Sequence, residues 1–187
     1  MNKKSIKIDY DKAFSVGAKL LSSKKYYEQK TGLFILIGIQ SGLRSIDILE
    51  LNKSRIEQKS NGSLIHYTAN KTKKEGTAFV GSIVSDAIKE CNTDSLFYNE
   101  KVGTHFSHTW INRRLKQVFE SDYKKAIKQN KTLSVHSLRK TAGTKLYNAF
   151  GVETARKLLQ HSNYSTTVSY IEETEAEHLN KLESLFS

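Results

Sequence analysis

The chain has no proline and only one cysteine, one methionine and one tryptophan in its 187 residues. Cys91 alone cannot close an intrachain disulfide, and with no cysteine cluster a thiolate zinc site is not expected. Reducing, cytoplasmic surroundings fit that usage. Long apolar runs are also missing. The most apolar stretch, Leu33 to Ile39, is far too short to span a bilayer and reads as a buried helix. The basic start, Met1 to Lys7, lacks the apolar region of a secretory leader. No Ser/Gly linker, low-complexity tract or internal repeat divides the chain, so one domain over 1–187 is expected. A chain of this length can bury a sizeable core without disulfides.

What is abundant is positive charge. The net charge is +11, from 30 Lys+Arg against 19 Asp+Glu. It is uneven, because residues 171–187 hold five acids (Glu172, Glu173, Glu175, Glu177, Glu183) and one base, Lys181, so the rest of the chain is more basic than the whole. Such a surface suits a polyphosphate partner, since contacts to phosphates release counterions. A lysine-rich soluble surface is the plainer alternative.

Apolar spacing predicts helices over 10–23 and 25–40 and a short one from Asp47 to Asn52. Leu64 to Thr68 and Thr77 to Val80 read as a β-hairpin joined by a lysine-rich turn. Ile83 to Cys91 returns to helical spacing. Ser107 to Tyr123 reads as one helix, and 124–132 as a polar, basic loop. Further helices are expected over Ser137 to Phe150, Val152 to Gln160 and Ser165 to Ile171. In the tail, Leu179, Leu182, Leu185 and Phe186 form a helical stripe among glutamates. The fold class is therefore α+β, mostly helical, with a small antiparallel β-sheet.

Four segments carry chemistry. Arg44 follows Ser41-Gly42-Leu43 at the end of the apolar helix, where glycine permits a tight turn. Its planar fork can take two phosphate oxygens; the alternative is a helix-end arginine that caps carbonyls or pairs with Asp47. The run Lys71-Thr72-Lys73-Lys74 is either a solvated turn or a loop carrying a general acid. A lysine among other cations has a lowered pKa and can protonate an alkoxide leaving phosphorus. Lys71, next to the first strand, is preferred over Lys73 and Lys74. His136 and Arg139 are three apart on one helical face, near an N-terminus that favours anions. Finally, His161 in a polar turn is followed nine residues later by Tyr170. A helical tyrosine is more often core than nucleophile, and Tyr164 is a neighbouring alternative. Together these residues suit a site that holds a DNA phosphodiester with fixed cations and attacks it with a phenol. His105 and His108 suggest no metal site, for want of a third ligand.

In order and spacing, these segments resemble the boxes of the tyrosine recombinases, the phage-integrase family. Ser41 to Leu51 resembles the first arginine box, Asn70 to Lys73 the hairpin lysine box, Val135 to Thr144 the second arginine box, and Leu158 to Tyr170 the last box. The resemblance runs from about residue 10 to the C-terminus. Two departures stand out: Gly81 follows Val80 where the family has a proline, and Gln160 precedes His161 where a glycine is common. These 187 residues leave no room for the N-terminal helical domain of many members, so the chain is expected to resemble either the catalytic-domain-only members, such as the fimbrial-switch invertases, or a shortened piece of a larger one.

The resemblance implies the tyrosine recombinase catalytic-domain fold and six catalytic residues: Arg44, Lys71, His136, Arg139, His161 and Tyr170. Tyr170 would attack the scissile phosphate and leave a 3′-phosphotyrosine and a free 5′-hydroxyl. Arg44 and Arg139 would stabilise the transition state. Lys71 would protonate the 5′-oxygen, His136 would manage the nucleophile's proton, and His161 would hydrogen-bond a phosphate oxygen. No metal or other cofactor is expected. Lys73, Lys74, Arg113, Arg114, Lys116 and Lys140 are candidate DNA contacts. The expected partners are a double-stranded recombination site, a homo-oligomer (a tetramer on DNA, with the tail exchanged between protomers) and accessory DNA-bending proteins, with no membrane. The expected setting is the cytoplasm, at the nucleoid, of a prokaryote, phage or mobile element. The rival readings are a type IB topoisomerase and a DNA-binding protein without catalysis. A metal nuclease would need a carboxylate cluster that the chain lacks.

Overall fold

The computed structural model describes residues 3–160. Seven α-helices, a three-stranded sheet and a two-stranded sheet make up that part of the chain. α1 (Tyr10–Leu21) starts where the Asp9 carboxylate accepts the Lys12 amide at 2.8 Å, satisfying one of the donors every helix start leaves over. α2 (Tyr26–Ser41) is apolar on all sides from Leu33 onward, as a helix in the middle of a core must be. Phe34 meets Phe97 edge to face at 5.6 Å, both fully buried. Truncating such a phenylalanine to alanine costs about 3–5 kcal/mol.

α2 stops at Gly42, whose φ of 64° is left-handed and whose amide returns to the Gly38 carbonyl at 3.2 Å. α3 (Ser45–Leu49) begins directly afterwards, with Arg44 as its cap residue. It lies two residues earlier than the sequence spacing suggests. A short 3₁₀ turn (Lys53–Arg55) leads into β1 (Ile56–Lys59), β2 (Gly62–Thr68) and β3 (Glu75–Gly81). The strands are antiparallel in the order β1-β2-β3, with Ile56 opposite Ile65 and Thr68 opposite Glu75. Ser63, Ile65 and Tyr67 face inward while His66 and Thr68 face out, the two-residue period of a half-buried strand. α4 (Ser82–Lys89) covers the inner face with Val84 and Ile88. A two-residue hairpin, β4 (Tyr98–Asn99) and β5 (Thr104–His105), precedes α5.

The region after Ser107 corrects two expectations. The expected single helix breaks at Phe119, giving α5 (His108–Val118) and α6 (Glu120–Lys128), so most of the expected loop at 124–132 is helical. α6 has little apolar content to announce it. Its support is electrostatic: Glu120 and Asp122 lie in its first turn and Lys125 and Lys128 in its last, complementing the helix dipole. Glu120 also pairs with Lys124 at 2.7 Å. Ala126 is its one buried residue.

α7 (Val135–Leu158) starts with a reciprocal capping box between Ser134 and Ser137 and is kinked at Gly151, where φ is 78° and ψ 173°. The break matches the expected boundary between two helices. The first half buries Val135, Leu138 and Ala142 in the core. The expected helix at 165–171 and the tail helix lie outside the described residues. No helix among those described is long and apolar enough to cross a membrane.

Candidate active site

Three elements that are distant in sequence meet at the end of α2. The first is the turn Ser41 to Arg44. The Ser41 hydroxyl donates to the Ile37 carbonyl at 2.6 Å and accepts the Leu43 amide at 3.2 Å, which fixes the path into Arg44. Arg44 itself is half-buried. The second is α7, from which Arg139, only 5% exposed, donates to the Gly42 carbonyl at 2.6 Å and the Leu159 carbonyl at 2.5 Å. Two such short charge-assisted bonds orient the guanidinium beside the Arg44 turn. The third is the β2–β3 hairpin. Its tip is closed by Ala69 donating to the Lys74 carbonyl and Lys73 to the Ala69 carbonyl, at 2.8 and 2.7 Å. Lys73 takes a φ of 56° to make that turn. Lys71 is exposed at the tip.

The hairpin is tied to α3. Asp47, 6% exposed, accepts the Asn70 backbone amide at 2.8 Å, and the Asn70 side chain donates to Glu50 at 2.6 Å. Asp47 thus anchors the lysine loop one residue before Lys71, in place of the ion pair with Arg44 weighed from sequence. Its second oxygen is buried without a partner among the described residues.

Tyr67, which the sequence argument passed over, also belongs here. Burial raises its phenol above the ordinary value; Arg139 and Arg44 pull it down and Asp47 pushes it up. Its hydroxyl is therefore within electrostatic reach of both arginines. The signal for it was present in the strand alternation, which puts Tyr67 on the inner face of β2 four residues before Lys71.

His136 occupies the first turn of α7, its amide donating to the Ser134 hydroxyl at 3.3 Å. The ring reaches solvent, yet the protein packed around it, and then His108 and Arg139, hold its pKa below the ordinary imidazole value. A neutral ring at neutral pH can accept a proton. His108 is held by Asn112 at 3.0 Å, and Asn112 in turn accepts the Val135 amide at 2.9 Å, so α5 supports the start of α7. His105 lies apart on β5, against Ser95 and the Tyr98 ring. No group of three His, Cys, Asp or Glu able to hold a metal ion occurs among the described residues.

The remaining expected site residues divide. His161 and Tyr170, with Tyr164, lie outside the described residues. Arg113 and Lys116 line a groove of about 950 Å³ between α5 and α6, with Asn112, Gln117, Lys124 and Ser134. The groove reaches Ser134, the cap of α7, and also holds Glu120. Arg114 reaches Thr31 of α2, at 3.5 Å, and Gln117 of the groove lining, at 3.0 Å. Lys140 is 5% exposed within α7. Lys73 and Lys74 are exposed beside Lys71.

Comparison with known proteins bears on the fold and the family. A "Probable integrase/recombinase" of Acholeplasma phage L2 is 28% identical over 162 residues, 83% of this chain and 53% of the relative. Among solved structures, the XerH site-specific recombinase in a post-cleavage complex with palindromic difH substrate superposes with a TM-score of 0.76 at 16% identity, covering 99% of this chain and 54% of that one. The Tn1549 transposon integrase in complex with circular intermediate DNA superposes with a TM-score of 0.67 at 19% identity, covering 96% and 67%. At such identities the structures show the shared fold, that of a tyrosine recombinase catalytic domain. The chain spans about half the length of the phage relative and of XerH. The sequence pattern of the phage integrase family matches residues 18–177, which include both arginine boxes, the lysine hairpin and the histidine–tyrosine segment, and the chain belongs to that family.

Proposed function

We propose that the chain is the catalytic domain of a site-specific DNA recombinase that cuts and rejoins strands through a 3′-phosphotyrosine on Tyr170. The observation that carries this reading is the meeting of three distant segments. Arg139 bonds the Gly42 carbonyl two residues from Arg44, and Asp47 bonds Asn70 one residue from Lys71. A fixed guanidinium on Arg139, a second arginine in the adjoining turn and a lysine on a tethered loop are the parts that phosphoryl transfer without a metal requires.

In the first step the phenol oxygen of Tyr170 bonds to phosphorus and the bond from phosphorus to the 5′-oxygen breaks. The phenol's proton passes to His136, which burial keeps neutral and so able to receive it. The 5′-oxygen takes a proton from Lys71 and leaves as a hydroxyl. Arg44 and Arg139 balance charge on the non-bridging oxygens, and His161 donates a hydrogen bond to one of them. A 5′-hydroxyl from a second strand then reverses the chemistry. One ester replaces another at each step, so no hydrolysis or nucleotide cofactor is needed.

DNA runs over the hairpin lysines Lys73 and Lys74 and into the groove that holds Arg113 and Lys116. Four copies assemble on paired sites, accessory DNA-bending proteins assist, and residues 171–187 dock on a neighbouring copy through their apolar stripe. The setting is the cytoplasm, at the nucleoid. The test is incubation with nicked suicide DNA carrying a candidate site, with the covalent adduct separated from free protein. A Tyr170-dependent adduct, formed equally well in EDTA, is expected; no adduct on any site that the protein binds specifically would overturn the reading. Deleting 175–187 should weaken two-site assembly more than single-site binding.

A further inference from the structure

We propose that Gln160 is a positioning residue that latches the lysine hairpin to the end of α7 and so holds Lys71 in place. The proposal rests on the reading of Lys71 as general acid.

Gln160 occupies the first position after the cap of α7, where the backbone is left-handed, with a φ of 50°. Glycine is the usual residue in that conformation, because a β-carbon makes it costly. Glutamine there must be compensated by what its side chain does. Its Nε2 donates to the Glu75 carbonyl of β3 at 3.0 Å. Swapping the amide ends would set oxygen against oxygen, so the donor is unambiguous. Oε1 is buried with no partner among the described residues, which leaves one bond as the whole polar tie.

The surroundings are shaped to this contact. A β-carbon added at Gly76 would lie 2.2 Å from Gln160 Nε2 and 2.8 Å from the Tyr67 ring, so only glycine lets the amide and the phenol pack against the hairpin together. The preceding residue, Leu159, is 1% exposed, and a β-carbon at Gly42 would meet its side chain at 2.6 Å. Its carbonyl takes Arg139. The dipeptide Leu159-Gln160 therefore touches all three parts of the site: the Arg44 turn, Arg139 and the hairpin. The lysine loop is bracketed on both sides, by Asn70 on Asp47 and Glu50 before it, and by Glu75 on Gln160 after it. Loss of the second bracket frees the loop without touching either arginine.

The test compares cleavage of a suicide substrate with the ordinary 5′-oxygen against one with a 5′-bridging phosphorothiolate, whose sulfur leaves without a proton. Gln160→Met keeps the bulk and loses the bond; Gln160→Gly loses the bond and relaxes the backbone. Both should cut the oxygen substrate roughly tenfold more slowly, the scale of a modestly misplaced group, and the sulfur substrate at the wild-type rate. Amide exchange over residues 69–76 should quicken in both variants of the full chain. A residue that only supported the fold would slow both substrates alike. That outcome, an unslowed oxygen reaction or unchanged exchange would each overturn the latch while sulfur still rescues Lys71→Ala. If sulfur does not rescue Lys71→Ala, the general-acid reading fails and the latch falls with it.

Discussion

Arg139→Lys probes the centre of the site in two ways at once. The native guanidinium is 5% exposed and spans two carbonyls, Gly42 at 2.6 Å and Leu159 at 2.5 Å, that are far apart in the sequence. A lysine ammonium can reach one of them but cannot fork between both. Each hydrogen bond to a charged group contributes about 1.5–3 kcal/mol, and the carbonyl left behind is buried. The variant should therefore lose about 2–3 kcal/mol of folding stability with its charge unchanged. Catalysis should suffer separately. An oxyanion donor is worth about 2.7–4 kcal/mol, or roughly 100- to 1000-fold in rate. Urea unfolding followed by helical circular dichroism gives the first quantity. Single-turnover adduct formation on nicked DNA, at a temperature where the variant is fully folded, gives the second. An unchanged urea midpoint would mean that the two carbonyl contacts contribute nothing. A wild-type cleavage rate in the folded variant would reduce Arg139 to a structural pin.

Further outcomes follow from neighbouring residues. Tyr67→Phe should retain the covalent adduct and Tyr170→Phe abolish it, since the Tyr67 phenol is raised by burial and lies in the fold of the sheet; mass mapping of the adduct peptide decides. Gly42→Ala should destabilise by roughly 2–5 kcal/mol in urea, from a left-handed backbone plus a β-carbon driven into Leu159. The His136 imidazole has its pKa lowered on folding, so the unfolded chain takes the proton first. Stability should then be intact above the ordinary imidazole range and decline as pH falls through it towards the lowered folded value. His136→Asn should flatten the decline of melting temperature between pH 7 and 5. Asp47→Ala should quicken amide exchange at Asn70 and Lys71 and slow cleavage of the oxygen substrate more than the sulfur one, because it removes the other bracket of the loop.

What could be read from the chain divides along physical lines. Helices with an apolar stripe were legible, because burial imposes the period: α2, α5 and the first half of α7 lie where Leu33 to Ile39, Ile111 with Leu115, and Leu138 with Ala142 predict them. The hairpin was legible for the same reason at period two. α6 was not, because charge placement, not apolar spacing, supports it. Residue types drawn from separate boxes gave the site its order but not its wiring. Nothing in Asp47 alone says that it will take the Asn70 amide, and Tyr67 becomes part of the site only through the register of β2. Charge alone did not say that Lys140 would be buried in α7 or that Arg114 would reach Thr31 of α2.

The same wiring links stability to chemistry. The carbonyl of Leu159 could have been satisfied by water at an exposed helix end; here it is buried and takes Arg139. The αL turn at Gln160 could have been a glycine that touches nothing; here its side chain reaches Glu75. The Leu159 carbonyl has been taken from solvent while the Gln160 bond is exposed, so displacing the end of α7 leaves a buried carbonyl unpaired and detaches the hairpin. The segment that carries His161 and Tyr170 begins at that point. One short dipeptide thus ties Arg139 and the lysine hairpin to the same end of α7.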